Sequence, residues 1–148
     1  TEMRQLVADL SGALQGGGKR EQAMHLVKKA VALAKKQGLK GAVRAAGDKR
    51  GPLTKGDELY VFVGALDRLT LLAHPITPEK LVGAELGELT DIKGKRFFSE
   101  FVDVAQNKGS GWVSYWWPKP GASEPSLKST YLERVPGMQA YMACGIYF

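Results

Sequence analysis

The sequence predicts an α+β domain built on a five-stranded antiparallel sheet with helices packed on one face. Two observations carry that class. The first third of the chain is amphipathic at helical spacing and contains no aromatic residue, whereas all 13 aromatic residues fall from Tyr60 onward. Those later residues stand in β-branched runs bounded by Gly and Pro, and most connections between runs are too short for parallel crossovers.

From Arg20 to Gln37 the residues Ala23, Met24, Val27, Ala30, Val31 and Ala34 recur at spacings of three and four, with Leu26 and Leu33 widening the stripe. Lys28, Lys29, Lys35 and Lys36 occupy the opposite arc, and Gly38 is the expected stop. Upstream, Leu6, Val7, Leu10 and Leu14 mark a shorter helix, interrupted by Gly16-Gly17-Gly18. This divides the chain into an N-terminal helical segment over 1–19 and one domain over 20–148. A second short helix is expected from Leu39 to Ala46. Leu59 to Val63 and Leu69 to Ala73 read as a hairpin. Phe97, Phe101, Val104 and Ala105 predict a helix from Lys95 to Asn107. Gly111 to Trp117, Leu127 to Val135 and Met138 to Tyr147 are the last three strands, separated by the loop from Pro118 to Pro125 and by the Pro136-Gly137 turn.

With 148 residues the chain is one ordinary domain, able to bury a core without staples. No apolar run approaches the roughly 20 residues that cross a bilayer. The net charge of +6 raises the question of nucleic acid, and its distribution answers it. Residues 1–56 hold 12 Lys/Arg against 4 Asp/Glu, yet none of the aromatic residues that a single-strand binder would set in a basic groove. No nucleic-acid partner is expected. Gly16-Gly17-Gly18-Lys19 lacks the preceding strand and following Ser/Thr of a phosphate loop, because Arg20 stands there. The single cysteine, Cys144, excludes an internal disulfide and, with only His25 and His74 beside it, a structural zinc site; no cofactor is expected. Cys144 lies among apolar residues and is read as an inert strand residue, and Asp91 and Asp103 are read as solvated.

The segment Gly109-Ser-Gly-Trp-Val-Ser-Tyr-Trp-Trp-Pro-Lys-Pro120 concentrates polar-tipped aromatic residues. On a strand, Trp112, Ser114 and Trp116 share one face and Val113, Tyr115 and Trp117 the other. Such rings build either a thick aromatic core or a small pocket with Tyr O–H, Trp N–H, imidazole and ammonium in its walls, suited to a small anion. Lys128 distinguishes the two. Facing solvent it needs no partner; buried, it requires a carboxylate or a ligand, and its own strand offers no acid at a neighbouring inward position.

The motifs Tyr60-Val-Phe-Val63, Leu72-Ala-His-Pro75, Leu81-Val-Gly83, Asp91-Ile-Lys-Gly94, Gly109-Ser-Gly-Trp-Val-Ser-Tyr115, Trp117-Pro118, Lys128 with Tyr131, and Cys144-Gly-Ile-Tyr147 together resemble the single Cache domain, and in the same order. Lys28-Lys-Ala-Val-Ala-Leu-Ala-Lys35 resembles its first helix. The resemblance spans residues 20–147. It implies a PAS-like antiparallel sheet behind a long N-terminal helix, with a shorter helix between strands, in a periplasmic or extracellular sensor for chemotaxis receptors, sensor kinases or cyclases. Acetate, propionate, lactate and pyruvate are typical ligands of the single-domain forms.

Carried onto this chain, Lys128 neutralises the ligand carboxylate, Tyr115 and Tyr131 donate hydrogen bonds, His74 caps the pocket, and Trp112, Trp117 and Tyr60 line it. The resemblance also allows a homodimer through paired N-terminal helices and membrane attachment through a segment outside this sequence. The turn Gly64-Ala-Leu-Asp-Arg68 is longer than the family's usual one, which leaves the aim of His74 open. The Cys144-Gly-Ile-Tyr147 ending favours a small secreted Cache protein over an excised sensor domain. Two other functions stand beside the sensor: an enzyme using His74 and Lys128 as acid–base groups on a small acid, and a structural domain whose aromatic residues only fill a core.

Overall fold

The computed structural model describes residues 18–56 and 58–148. The predicted helix around Leu6, Val7, Leu10 and Leu14, and Gly16 and Gly17 after it, lie outside these residues. The chain enters through α1 (Lys19–Ala46), continues through β1 (Thr54–Lys55), β2 (Leu59–Ala65), β3 (Leu71–Ala73) and α2 (Pro78–Leu81), and closes with α3 (Phe97–Asn107), β4 (Ser110–Pro118), β5 (Pro125–Arg134) and β6 (Ala140–Tyr147). The two helices expected on either side of Gly38 form one element with a kink, because Gly38 takes φ +82, outside helical space and open to glycine. The short α2 was not anticipated. Its signal is Pro78 in the first turn, where the missing N–H costs nothing.

The five expected strands are present, joined by the two-residue β1. All pairings between these strands are antiparallel, in the order β1-β2-β6-β5-β4 with β3 also on β2; Leu71 makes one isolated parallel bridge, to Val82. The helices, however, do not share a face. On one side α1 packs Ala23, Val27, Ala30 and Ala34 against Val61, Val63, Met142, Cys144 and Ile146. On the other, Phe97, Phe101 and Ala105 of α3 pack against Phe62, Val113, Tyr115, Leu132, Tyr141 and Ala143. The physical reason lies in the central strands. Every residue of β6 and all but the first of β2 are buried, so both faces of the sheet are apolar and each needs a cover. Among the described residues no helix is long and apolar enough to cross a membrane.

Candidate ligand-binding site

The alternation of β-strands sorts the candidate residues before any contact is measured. On the α3 side of the sheet the register sets Tyr115, Lys128 and Tyr147 side by side across β4, β5 and β6. Tyr60 and Gly145 are the next positions along β2 and β6 after the Val61–Cys144 pair. Lys128 is only 1% exposed. Its stem crosses Gly145 and its Nζ donates to Tyr60 Oη at 3.0 Å. Four rings enclose the nitrogen: those of Tyr60 at 4.8 Å, Tyr147 at 5.1 Å, Phe62 at 5.5 Å and Tyr115 at 5.8 Å. Among the described residues no carboxylate forms an ion pair with it. Burial therefore pushes the ammonium down to about 7.

From Lys128 the hydrogen bonds run outward in one direction. Tyr60 Oη accepts from Lys128 and stands 3.5 Å from Tyr147 Oη, and Tyr147 in turn donates to the carbonyl of Pro118 at 3.2 Å. Burial holds both phenols above their ordinary range, Tyr147 at about 12, so each stays a neutral donor. Tyr115 is also buried, but its hydroxyl is engaged with Thr130 Oγ1 at 2.9 Å and its ring stacks on Phe97 at 4.4 Å.

His74 follows β3 and is 4% exposed. Its Nδ1 accepts the backbone N–H groups of Ile76 and Thr77 at 3.2 and 3.1 Å, which leaves the proton of the neutral ring on Nε2. Burial, and then the charge of Lys128, lower its imidazolium to about 3. The ring meets Tyr60 edge-on at 5.0 Å between centroids. Imidazole, phenol and ammonium thus come from the end of β3, from β2 and from β5 to one region, and among the described residues no carboxylate pairs with them.

Beside that set opens a cavity of about 310 Å³. Its walls include Tyr60, His74, Thr77, Lys80, Trp117 and Lys119 and, among the described residues, no Asp or Glu. Three of the seven candidate residues, Tyr60, His74 and Trp117, line it directly. Lys128, bonded to Tyr60, and Tyr115, bonded to Thr130, do not line it. A wider open groove of about 640 Å³ borders His74 from the α1 side, but it mixes Arg44 with Asp48 and Glu79 and does not select one sign of charge.

Trp112 and Tyr131 do not reach the cavity. Both pack with α1 on the opposite face, where their rings meet at 5.3 Å, Arg20 covers Trp112 at 4.9 Å, and Tyr131 donates to Glu133 at 2.6 Å. A period of two requires this, since Trp112 is an odd number of positions from Tyr115 and Tyr131 from Lys128. The residues missed are Tyr147, Thr77, Lys80 and Lys119. Alternation from Gly145 would have put Tyr147 on the Lys128 face; the other three come from loop and short-helix placement that no local pattern encodes.

Asp91 is half-exposed, as a solvated carboxylate would be, but it also has a structural task. Its Oδ1 accepts from the N–H groups of Lys93 and Lys95, both at 2.9 Å, and its Oδ2 from that of edge-strand residue Trp116 at 3.0 Å. Lys95 Nζ adds a bond to the Ser114 carbonyl at 2.6 Å. The loop thus satisfies the free edge of β4. Cys144 is buried on the α1 side, and burial pushes its thiol up to about 12, far from a reactive thiolate.

Comparison with known proteins agrees with this architecture. The model of the single Cache domain 2 family matches residues 5–148. The methyl-accepting chemotaxis protein McpP of Pseudomonas putida is 32% identical over 98% of the chain, which spans only 27% of that protein's length. A solved Cache chemosensory domain, studied for carboxylic acid recognition, is 27% identical with a TM-score of 0.75, covering 87% of this chain and 92% of its own. A periplasmic sensor domain of a chemotaxis protein is 30% identical with a TM-score of 0.68, covering 86% and 88%. A methyl-accepting chemotaxis protein from Vibrio parahaemolyticus shares the fold at 19% identity, with a TM-score of 0.74 and coverage of 97% and 96%.

Proposed function

The chain belongs to the single Cache domain 2 family, and from that premise we propose that it is the periplasmic sensor domain of a chemotaxis or related signalling receptor that binds a small organic acid of the acetate, propionate, lactate or pyruvate class; its match over 98% of its length to part of the receptor McpP favours this over the small secreted protein that the Cys144-Gly-Ile-Tyr147 ending suggested. Domains of this family are sensors. The observation that carries the ligand reading is Lys128, a buried ammonium that has, among the described residues, no carboxylate partner and stands by a cavity with no acid in its wall. A group in that setting is costly to the unliganded fold, and an entering carboxylate compensates it with a charge-assisted bond about twice as strong as a neutral one.

In this reading the carboxylate draws the Tyr60 hydroxyl away from Lys128 and accepts from Lys128 Nζ, Tyr60 Oη and His74 Nε2, while Trp117 covers the carbon chain. The hydrogen bond from Tyr147 to the Pro118 carbonyl links that change to the loop from Pro118 to Ala122, which lines the cavity. McpP as a relative, and the carboxylic acid subject of a similar solved domain, support the same assignment. Attachment to a membrane outside the described residues, and pairing of N-terminal helices in a homodimer, belong to the same proposal.

A thermal-shift panel of two- to four-carbon acids, with matching alcohols and amino acids, tests it. An acid at a hundred times its Kd adds about 2.7 kcal/mol, or roughly 5 to 10 °C for a chain of this size. A shift with acids alone, lost in Lys128→Met, is the expected result; a flat panel in a folded protein overturns it. Incubation with the binding acid should return it unchanged, and turnover would assign His74 and Lys128 to catalysis.

A further inference from the structure

We infer that the site accepts, beyond the monocarboxylates, a small acid carrying a second anionic group, and that Lys80 and Lys119 at the cavity wall read that group. The inference rests on the carboxylate reading above and refines its ligand class.

Three observations carry it. The cavity wall takes two ammonium groups from separate elements, Lys80 from α2 and Lys119 from the loop after β4, and among the described residues no Asp or Glu. Lys80 forms no ion pair among the described residues, and Lys119 only a long one, 4.0 Å to Glu58, with both side chains about 40% exposed. Such a contact contributes little and leaves the ammonium free to turn toward a ligand. The donors then divide by depth. Tyr60 and the buried His74 form the inner end, backed by Lys128, whereas Lys80 is exposed and Lys119 half-buried.

The volume admits such a ligand. About 310 Å³ corresponds to roughly ten water volumes, room enough for a four-carbon diacid as well as for a shorter monocarboxylate. A monoanion satisfies the inner donors and leaves the outer lysines in water. A dianion of suitable length satisfies both. Because the outer groups are partly exposed, their joint effect is modest, about tenfold in Kd, and it is screened by salt while the inner contact is not.

Isothermal titration with butyrate and succinate, which share a carbon count and differ by one carboxylate, reads the inference directly. The expected result is a Kd for succinate about tenfold below that for butyrate. That ratio should fall to about threefold or less in the Lys80→Gln/Lys119→Gln double variant and in wild type at about 0.5 M salt. Butyrate or a shorter monocarboxylate binding as tightly as succinate, or a ratio that the double variant leaves intact, overturns this inference and keeps the carboxylate reading. Absence of binding by every acid overturns both. Binding of succinate that survives Lys128→Met removes the inner contact, and with it the two-ended site.

Discussion

The side chain of Lys128 lies flat across Gly145 on the neighbouring strand: a Cβ at Gly145 would stand 2.2 Å from Lys128 Cε and 3.1 Å from its Cδ. The buried ammonium reaches Tyr60 only because residue 145 has no side chain. Gly145→Ala must displace the lysine stem, and overpacking of this kind costs about 1–3 kcal/mol. Urea unfolding should show that loss together with a loss of acid binding. In a Lys128→Ala background the cost of Gly145→Ala should shrink to what the Thr130 Oγ1 contact at 2.6 Å imposes. Additive costs would mean that the two residues are not coupled.

Lys128→Met keeps the unbranched stem and removes the charge. Because burial holds the ammonium down to about 7, the folded chain gives up a proton that the unfolded chain keeps to about its ordinary 10.5. Between those values the unfolded state binds more protons, so stability rises with pH. Below about 7 the burial cost is fully present. The variant should therefore be as stable as wild type or more so at neutral pH, and should lack the rise in stability above pH 7. Urea midpoints across the alkaline range check this; parallel curves for the two proteins would count against a buried, unpaired lysine.

Acid binding has the opposite pH dependence. A carboxylate is held by the ammonium, and the free site loses that charge as pH rises through about 7. Affinity should fall by up to about tenfold per pH unit above that point, with proton uptake on binding. Titration calorimetry in buffers of different ionisation enthalpy measures the uptake. His74, held neutral down to about 3, adds no such change near neutrality. Its effect lies in stability: the unfolded chain takes up a proton below the ordinary 6.5, so the fold weakens as pH drops from 6.5 toward 3.

Tyr131→Phe tests the separation of the two faces. The hydroxyl donates to Glu133, which also accepts from Lys28 of α1 at 2.8 Å. Its removal should cost about 0.5–1.5 kcal/mol through the seating of α1 and leave the Kd for the acid within about twofold. A large loss of affinity without loss of stability would bring Tyr131 back into the site.

Asp91→Ala removes the acceptor of three backbone N–H groups and exposes the β4 edge. The expected cost is about 1–2 kcal/mol, comparable to losing a strong helix cap. Backbone hydrogen exchange at Trp116 should accelerate with it. Unchanged protection there would show that the edge is held by other contacts.

The order of elements was legible because each rests on local pattern: the three-and-four spacing from Ala23 to Ala34, the β-branched run from Leu59 to Val63, the turn at Pro136-Gly137. The division of side chains was legible too. A period of two puts Tyr60 with Phe62, Tyr115 with Trp117 and Lys128 with Thr130, and already parts Trp112 from Tyr115 and Tyr131 from Lys128. Residue chemistry supplied the donors and the want of an acid near Lys128 in its own strand.

What a strand pattern cannot state is which of its faces is covered and by what. That depended on β6 lying between β2 and β5, on α1 and α3 taking opposite sides, and on Gly145 falling beneath a lysine 17 positions earlier in the chain. The same long-range pairing made Lys128 a buried cation, and loop and short-helix placement brought His74, Lys80 and Lys119 to one cavity. Alternation is a property of a few consecutive residues, whereas burial is decided by segments far apart in sequence, and the energetics of this site follow from burial.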